Sequence, residues 1–252
     1  MTERTFFHAL LIGWTAIAVA TFVFLFRFAA PYGRHARGGF GPTIHRTTGW
    51  ILMESPSAIG FLVLIAIAPR PPTITLWIFF CLWELHYANR AFVFPLRMRG
   101  GQQRMPIVIA SSAFFFNCVN VYLNGRWLTA LGPDYSIDWL CGIRFWIGFA
   151  MFLFGFYINL QSDSILRSLR RSSSDYQIPK GGLYRFISCP NYFGELVEWT
   201  GWAVLTWSAA SASFAIWTAA NLVPRAVAHH RWYREKFAEY PAQRKAVIPG
   251  LL

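Results

Sequence analysis

The feature that most constrains this chain is a series of long apolar runs. About 20 apolar residues in a row form a helix long enough to cross the hydrocarbon core of a bilayer. Only 13% of the 252 residues are charged, whereas a soluble domain carries about 25%. The sequence therefore predicts an all-α polytopic membrane protein with seven transmembrane helices. Their runs are Phe6–Phe28, Gly49–Ala68, Ile74–Phe94, Pro106–Leu123, Phe145–Leu160, Tyr192–Trp207 and Ser211–Val227.

The net charge of +12 at first suggests a nucleic-acid partner, but its placement argues against one. With seven spans, most Lys and Arg residues fall on one side of the membrane. Basic residues collect on the cytoplasmic side of membrane proteins with short loops. The sequence thus predicts an outside N-terminus, a cytoplasmic C-terminus and no nucleic-acid partner. The segment Arg167–Pro190 and the tail from Ala228 carry more positive charge than topology needs, so a polyanionic ligand there is also consistent.

The chain shows no internal repeat and no soluble module, which predicts a single domain over residues 1–252. Its four cysteines are isolated, so we predict neither a disulfide framework nor a metal site. The glycine-rich stretch Arg37–Pro42 follows no predicted strand and opens no clear helix. It is therefore not interpreted as a dinucleotide fingerprint, which needs that setting.

A polar stripe begins at the end of the fifth apolar run and continues beyond it. Asn159, Asp163, Arg167 and Arg170 recur at helical spacing and lie along one face of a continuing helix. Such a face suits a ligand with an amide or ribose at depth and phosphates nearer the surface. Hydrogen bonding between helices, with arginines reaching out of the membrane, is the alternative interpretation.

Glu54 and Tyr87 form a second candidate group within the apolar runs. A carboxyl group buried in a span tends to be a neutral acid, and a tyrosine hydroxyl is also a neutral donor. Together they could stabilise an oxyanion or enolate. The alternatives are a buried glutamate paired with an arginine and a tyrosine of the interfacial belt. Glu84 lies three residues before Tyr87, on the same face, and could orient it.

Six segments together resemble the steroid 5α-reductase (3-oxo-5α-steroid 4-dehydrogenase) family, and the resemblance covers nearly the whole chain. It is close enough to the human type 2 enzyme to indicate a bacterial relative. The segments are PYGRH (Pro31–His35), WILMESPS (Trp50–Ser57), HYANRAFVFPL (His86–Leu96), INLQSDSILRSLR (Ile158–Arg170), Ile178–Ala203, which contains PNYFGE, and Arg225–Leu252, which contains YPAQRKAVIP.

The resemblance implies reduction of the 4,5 double bond of a 3-oxo-4-ene steroid by a reduced nicotinamide held from the cytoplasmic side. It implies that Glu54 and Tyr87 bind the 3-keto oxygen and that Trp50 lies beside them. Gln177 stands where the family usually has an arginine, and the loop Arg97–Pro106 looks longer than is usual. The residues that match cofactor-contacting positions, or join them from the stripe, are Arg104, Asn159, Asp163, Arg167, Arg170, Asn191, Glu195, Arg225, His229 and Tyr233.

The cluster of arginines predicts NADPH rather than NADH, because an arginine fork suits a phosphate. The expected partners are a steroid or other hydrophobic enone and the lipid bilayer, in a bacterial inner membrane, with no need for an oligomer. Three alternatives stay open. They are a reductase of another conjugated lipid (a polyprenal, an enoyl thioester or another sterol), a membrane methyltransferase using S-adenosylmethionine, and a non-enzymatic lipid carrier.

Overall fold

The structure is a computed structural model that describes residues 1–28, 39–98, 103–172 and 175–252. The segment Pro31–His35, used above for the family resemblance, lies outside the described residues, as does the start of the glycine-rich stretch. The described chain is mostly helical. Its α-helices are α1 (Glu3–Arg27), α2 (Arg46–Ala66), α3 (Ile74–Tyr87), α4 (Phe94–Arg97), α5 (Ile107–Arg126), α6 (Ile143–Ser172), α7 (Pro190–Thr206) and α8 (Ala209–Lys236).

Four helical segments of the described residues are long and apolar enough to cross a membrane, which indicates an integral membrane protein. They are Glu3–Arg27, Arg46–Ala66, Ile107–Leu131 and Ile143–Arg170. The other three predicted runs are also helical, but α3 and α7 are shorter, with 14 and 17 residues, and α8 carries polar residues along its length. The count of seven spans and the orientation of the termini stay predictions.

The fold differs from a purely helical one by a small two-stranded sheet. Strands β1 (Thr43–His45) and β2 (Arg104–Pro106) pair antiparallel, with Ile44 opposite Met105. Arg104 holds the pair together, since its Nε donates to Thr43 Oγ1 at 2.8 Å and its Nη2 to Thr43 O at 2.7 Å. Strands of three residues are too short to show a period in the sequence, which is why the all-α prediction missed them.

The chain divides into two compact units. The first comprises Met1–Leu11 and Pro31–Trp146, and the second comprises Ile12–Ala30 and Ile147–Leu252. The prediction of a single domain is not tested by this division and stays a prediction.

Helices α2 and α5 run side by side in the first unit and point the same way. A Cβ atom added to Gly60 would lie 2.8 Å from Val121 Cγ1, and one added to Gly125 would lie 2.5 Å from Leu64 Cδ1. The small residues therefore let each helix receive a branched side chain of the other, as is common where membrane helices pack.

Helices α6 and α7 approach still more closely in the second unit, and they run antiparallel. A Cβ atom on Gly194 would lie 2.6 Å from the carbonyl oxygen of Gly155, and one on Gly201 would lie 2.6 Å from the backbone nitrogen of Phe152. Backbone meets backbone here, so no side chain fits at these glycines. This contact sets the polar end of α6 beside the start of α7.

Candidate active site

Two tryptophan N–H groups fix how α2 packs on α3 and the segment that follows it. Trp83 Nε1 donates to Ser57 O at 2.9 Å, and Trp50 Nε1 donates to Arg90 O at 3.0 Å. These bonds show that the two helical segments run antiparallel. Glu54 lies between the two bonds on α2, and Tyr87 lies between them on the facing segment. The two bonds therefore bring Glu54 and Tyr87 to the same level of the first unit.

A proline explains the second of these bonds. Residues Ala88–Val93 form a π-helical turn, in which Phe94 N–H bonds to Asn89 O five residues back. The next carbonyl, that of Arg90, would need the N–H of Pro95, which proline does not have. Trp50 Nε1 takes that place. Single π turns inside α-helices are frequent at functional sites, and this one contains Arg90, whose side chain lies near Glu54.

Each oxygen of the Glu54 carboxylate lies near a polar neighbour. Asn117 Nδ2 donates to Oε2 at 3.2 Å, and Arg90 Nε lies 3.9 Å from Oε1. The Arg90 guanidinium also sits over the Trp50 ring, 4.9 Å from its centroid. An arginine therefore lies near Glu54, as one alternative interpretation expected, but beyond hydrogen-bond distance.

Tyr87 is buried, with 3% of its surface exposed, and its ring centroid lies 4.8 Å from that of Trp83. A tyrosine of the interfacial belt would expose its hydroxyl end to the headgroups, so that alternative does not fit. Glu84 is half-buried on α3, and its Oε1 has no hydrogen-bond partner within the described residues.

A cluster of amides and carboxylates forms in the second unit where α6 meets α7. Asn159 Nδ2 donates to Glu195 Oε1 at 3.1 Å and to Asn191 O at 3.2 Å. Asn191 Nδ2 donates to Asp163 Oδ1 at 3.4 Å. Four of the predicted cofactor residues therefore come together, and three of them, Asn159, Asp163 and Glu195, are buried.

Three more predicted residues follow one another along α8 at intervals of four, on one stripe of the helix. Arg225 Nε donates to Tyr192 OH at 3.0 Å, and the Tyr192 ring stacks on His229 at 5.6 Å. Tyr233 stacks on Tyr240 with ring centroids 5.2 Å apart. Since Tyr192 is on α7, this stripe faces the start of that helix.

The remaining predicted cofactor residues lie outside the amide and carboxylate cluster and outside the stripe on α8. Arg167 is half-buried and Arg170 exposed near the end of α6, one and two turns beyond Asp163. Arg104 belongs to the first unit, where its guanidinium is bound to Thr43. The sequence analysis did not name Arg90 or Asn117 as site residues. Their signal was the occurrence of a charge and an amide within otherwise apolar runs.

Ser188, just before α7, links α8 to the C-terminal tail. The sequence analysis also missed this serine. Ser188 Oγ lies 2.6 Å from His230 Nδ1 and 2.6 Å from Tyr240 OH. The backbone of Ser188 bonds to Lys245 O at 2.8 Å, in a short parallel pairing of the two segments. The last part of the chain therefore packs against the segment that precedes α7, which agrees with its apolar ending.

Burial gives His230 a perturbed titration. Its pKa is lowered from the usual 6.5 because desolvation disfavours the charged ring, and because the positive charges of Arg234 and Lys245 are near. His230 lies beyond the last predicted span.

Comparison with known proteins covers the whole chain. The family model described as 3-oxo-5-alpha-steroid 4-dehydrogenase matches residues 103–252. The steroid 5-alpha-reductase DET2 of Gossypium hirsutum is 40% identical over 253 residues, 98% of each chain. The 3-oxo-5-alpha-steroid 4-dehydrogenase 1 of Bos taurus is 40% identical over 100% of this chain and 99% of its own, and that of Homo sapiens 37% identical over 100% and 97%. This chain therefore belongs to the 3-oxo-5-alpha-steroid 4-dehydrogenase family.

Proposed function

We propose that this chain is an NADPH-dependent reductase of the 4,5 double bond of 3-oxo-4-ene steroids. The observation that carries the proposal is the pair of tryptophan hydrogen bonds that brackets Glu54 and Tyr87 on facing helices. Two donors at one level of an apolar bundle suit the ketone of a hydrophobic enone. Membership of the family adds the substrate class that its relatives' names state.

Glu54 and Tyr87 would donate to the ketone oxygen, where negative charge develops as the β-carbon becomes saturated. Oxyanion donors that are preorganised in a low-dielectric site stabilise such charge strongly. Because Asn117 donates to Oε2 of Glu54, the acidic proton belongs on Oε1. The positive charge of Arg90 near Oε1 favours the enolate further. The aromatic rings of Trp50 and Phe94, which flank Arg90, would exclude water.

Bound NADPH would supply a hydride to the β-carbon of the enone, and the α-carbon would take a proton. The cluster of Asn159, Asp163, Asn191 and Glu195 fits such a group, because a carboxamide and a ribose need donors and acceptors together. Arg225, His229 and Tyr233 extend the same set along α8. Arg167 and Arg170, nearer the surface, suit phosphates, and Arg104 is the candidate from the first unit.

The proposed topology has seven spans, an outside N-terminus and a site that opens to the cytoplasm of a bacterial cell. Helix formation at all seven predicted runs and the one-sided positive charge support it. Single cysteines at positions 134 and 180, in a chain whose four native cysteines are serine, test it. Labelling of position 134 from outside and of 180 from inside is expected, and the reverse would contradict the topology.

The proposal is tested with the purified protein in lipid nanodiscs. Oxidation of NADPH is followed with testosterone, progesterone, a polyprenal and an enoyl thioester, and products are identified by mass spectrometry. We expect a 5α-dihydrosteroid and little turnover of the other lipids. Faster reduction of the polyprenal or thioester would place the chain among reductases of other lipids, and methyl transfer from S-adenosylmethionine would refute a reductase.

A further inference from the structure

Asn117 makes three hydrogen bonds around Glu54, although no role was predicted for it from the sequence. We infer that Asn117 is a positioning residue, which holds the Glu54 carboxyl group in the orientation that presents Oε1 to the substrate ketone. The inference rests on the proposed function, since it gives Asn117 a role only through Glu54.

The amide of Asn117 is held in one orientation by both of its ends. Ser57 Oγ donates to Asn117 Oδ1 at 2.8 Å, and Asn117 Nδ2 donates to Met53 O at 2.6 Å. Ser57 is fully buried and Asn117 is 4% exposed. A flipped amide would set its oxygen against the carbonyl oxygen of Met53, which has no hydrogen to share. The donor end therefore faces α2.

The second hydrogen of that donor end determines what Glu54 can do. Nδ2 lies 3.2 Å from Glu54 Oε2, so Oε2 is an acceptor in this bond. A proton carried by Glu54 then belongs on Oε1, the oxygen that faces Arg90. Without Asn117 the carboxyl group could turn about its last bond and present either oxygen, and the donor to the ketone would no longer be preorganised.

The same helix provides a matched control. Asn124 lies two turns beyond Asn117 on α5 and is equally buried, at 1% exposure. Its Nδ2 donates to Asn120 O and Asn120 Oδ1, both at 3.1 Å, and these bonds stay within α5. Replacing Asn124 by leucine therefore tests what the loss of a buried amide on this helix costs away from Glu54.

The test is a double-mutant cycle on the full-length protein, with kcat, KM for the steroid and Kd for NADPH measured for each variant. Asn117→Leu keeps the size of the side chain and removes the donor. We expect it to lower kcat about 10²-fold, as a misplaced catalytic group does, and to leave the Kd for NADPH unchanged. Asn124→Leu should change kcat less than about threefold, within the scatter of distant, independent sites.

The Glu54→Gln background separates positioning from a merely structural role. Residues that act as one unit are strongly non-additive, so Asn117→Leu should cost little further rate once Glu54 is glutamine. An equal loss in both backgrounds would overturn the inference and leave Asn117 as a packing residue, with the proposed function intact. Full activity of Glu54→Gln itself would remove the proposed role of Glu54, and the inference with it.

A second variant keeps the test sharp if Asn117→Leu does not fold. Ser57→Ala leaves Asn117 in place but removes one of the two hydrogen bonds that hold its amide beside Glu54. It should lower kcat by a smaller factor, about tenfold for the loss of one hydrogen bond, and only while Glu54 is present. A normal kcat for Ser57→Ala would contradict the inference that a firmly held amide positions Glu54.

Discussion

The two units hold their polar residues in different ways. In the first, Glu54 and Tyr87 are set by side chains, since indole N–H groups and one amide tie α2 to its neighbours. In the second, α6 and α7 meet backbone to backbone through glycines, and the polar cluster follows from that contact. The first arrangement positions a few atoms closely, and the second lines a long surface with many groups.

This difference indicates how each region should respond to substitution. A site with two donors to one oxygen loses most of its rate when either is removed, because no other group replaces it. A surface that offers many groups, as the proposed cofactor site does, would share the binding energy among them, so each single loss should cost a part of the affinity. The first unit should therefore affect turnover, and the second should affect cofactor binding.

The largest expected effect is on the donors of the first unit. Glu54→Gln and Tyr87→Phe should each lower kcat about 10²–10³-fold, the usual cost of one oxyanion donor. The Kd for NADPH, measured by quenching of tryptophan fluorescence, should stay near the wild-type value. Near-normal turnover in both variants would leave these residues with a structural role only and would remove the contrast between the units.

A smaller effect is expected when the cluster of the second unit loses its central amide. Asn159→Leu removes the donor to Glu195 and Asn191 and should raise the Kd for NADPH about tenfold, the cost of about one hydrogen bond. At saturating cofactor, kcat should stay within a few-fold of wild type. Thr200→Val is the control, because the bond that the Thr200 hydroxyl makes among the described residues stays within its own helix, at Leu196 O. A fall in kcat with unchanged Kd would reverse the assignment.

The choice between cofactors should depend on Arg170. Arg170→Glu would put a like charge near the proposed position of the 2′-phosphate, so the Kd for NADPH should rise several-fold more than that for NADH. Arg185→Glu, at another exposed arginine of the second unit, is the matched control. If both cofactors weaken alike, Arg170 only anchors the end of α6. If the wild type uses NADH and NADPH equally well, the phosphate contact is absent.

The smallest effect concerns the tail and pH. The pKa of His230 is lower in the folded chain than its usual 6.5, so the unfolded chain binds the extra proton first as the pH falls. The free energy of unfolding should therefore decrease as the pH drops below about 6.5, by at most about 1 kcal/mol for a group partly screened by solvent. Thermal unfolding of wild type and His230→Gln between pH 7.5 and 5.5 checks this, with a flatter curve expected for the variant.

Much of the architecture could be predicted because apolar length and period are local signals. All seven runs are helical, and the stripe of Asn159 and Asp163 continues along α6 as expected. The side chains that contact each other between helices are far apart in the sequence, so no local pattern predicts them. Asn117 is 63 residues from Glu54, and no spacing in the sequence brings an amide to that carboxylate.

Two further features could not be predicted because each involves two segments that are distant in the sequence. Gly155 and Gly194 become informative only when the two helices are placed together, because a helical glycine alone has no required partner. The role of Pro95 likewise needed Trp50, 45 residues away, to satisfy the carbonyl oxygen that proline leaves without a donor. Arg104 was predicted from the family pattern, and its bonds to Thr43 depend on a sheet too short to predict.

The central claim is that this chain transfers a hydride from NADPH to the β-carbon of a 3-oxo-4-ene steroid. It is tested most directly with NADPH that carries deuterium at the reactive nicotinamide carbon, and the product is analysed by NMR. The proposal predicts a 5α-dihydrosteroid with one deuterium at the β-carbon and, in a parallel reaction in D₂O with unlabelled NADPH, one deuterium at the α-carbon. A saturated product with the labels exchanged, or no saturated steroid with either cofactor, would contradict it.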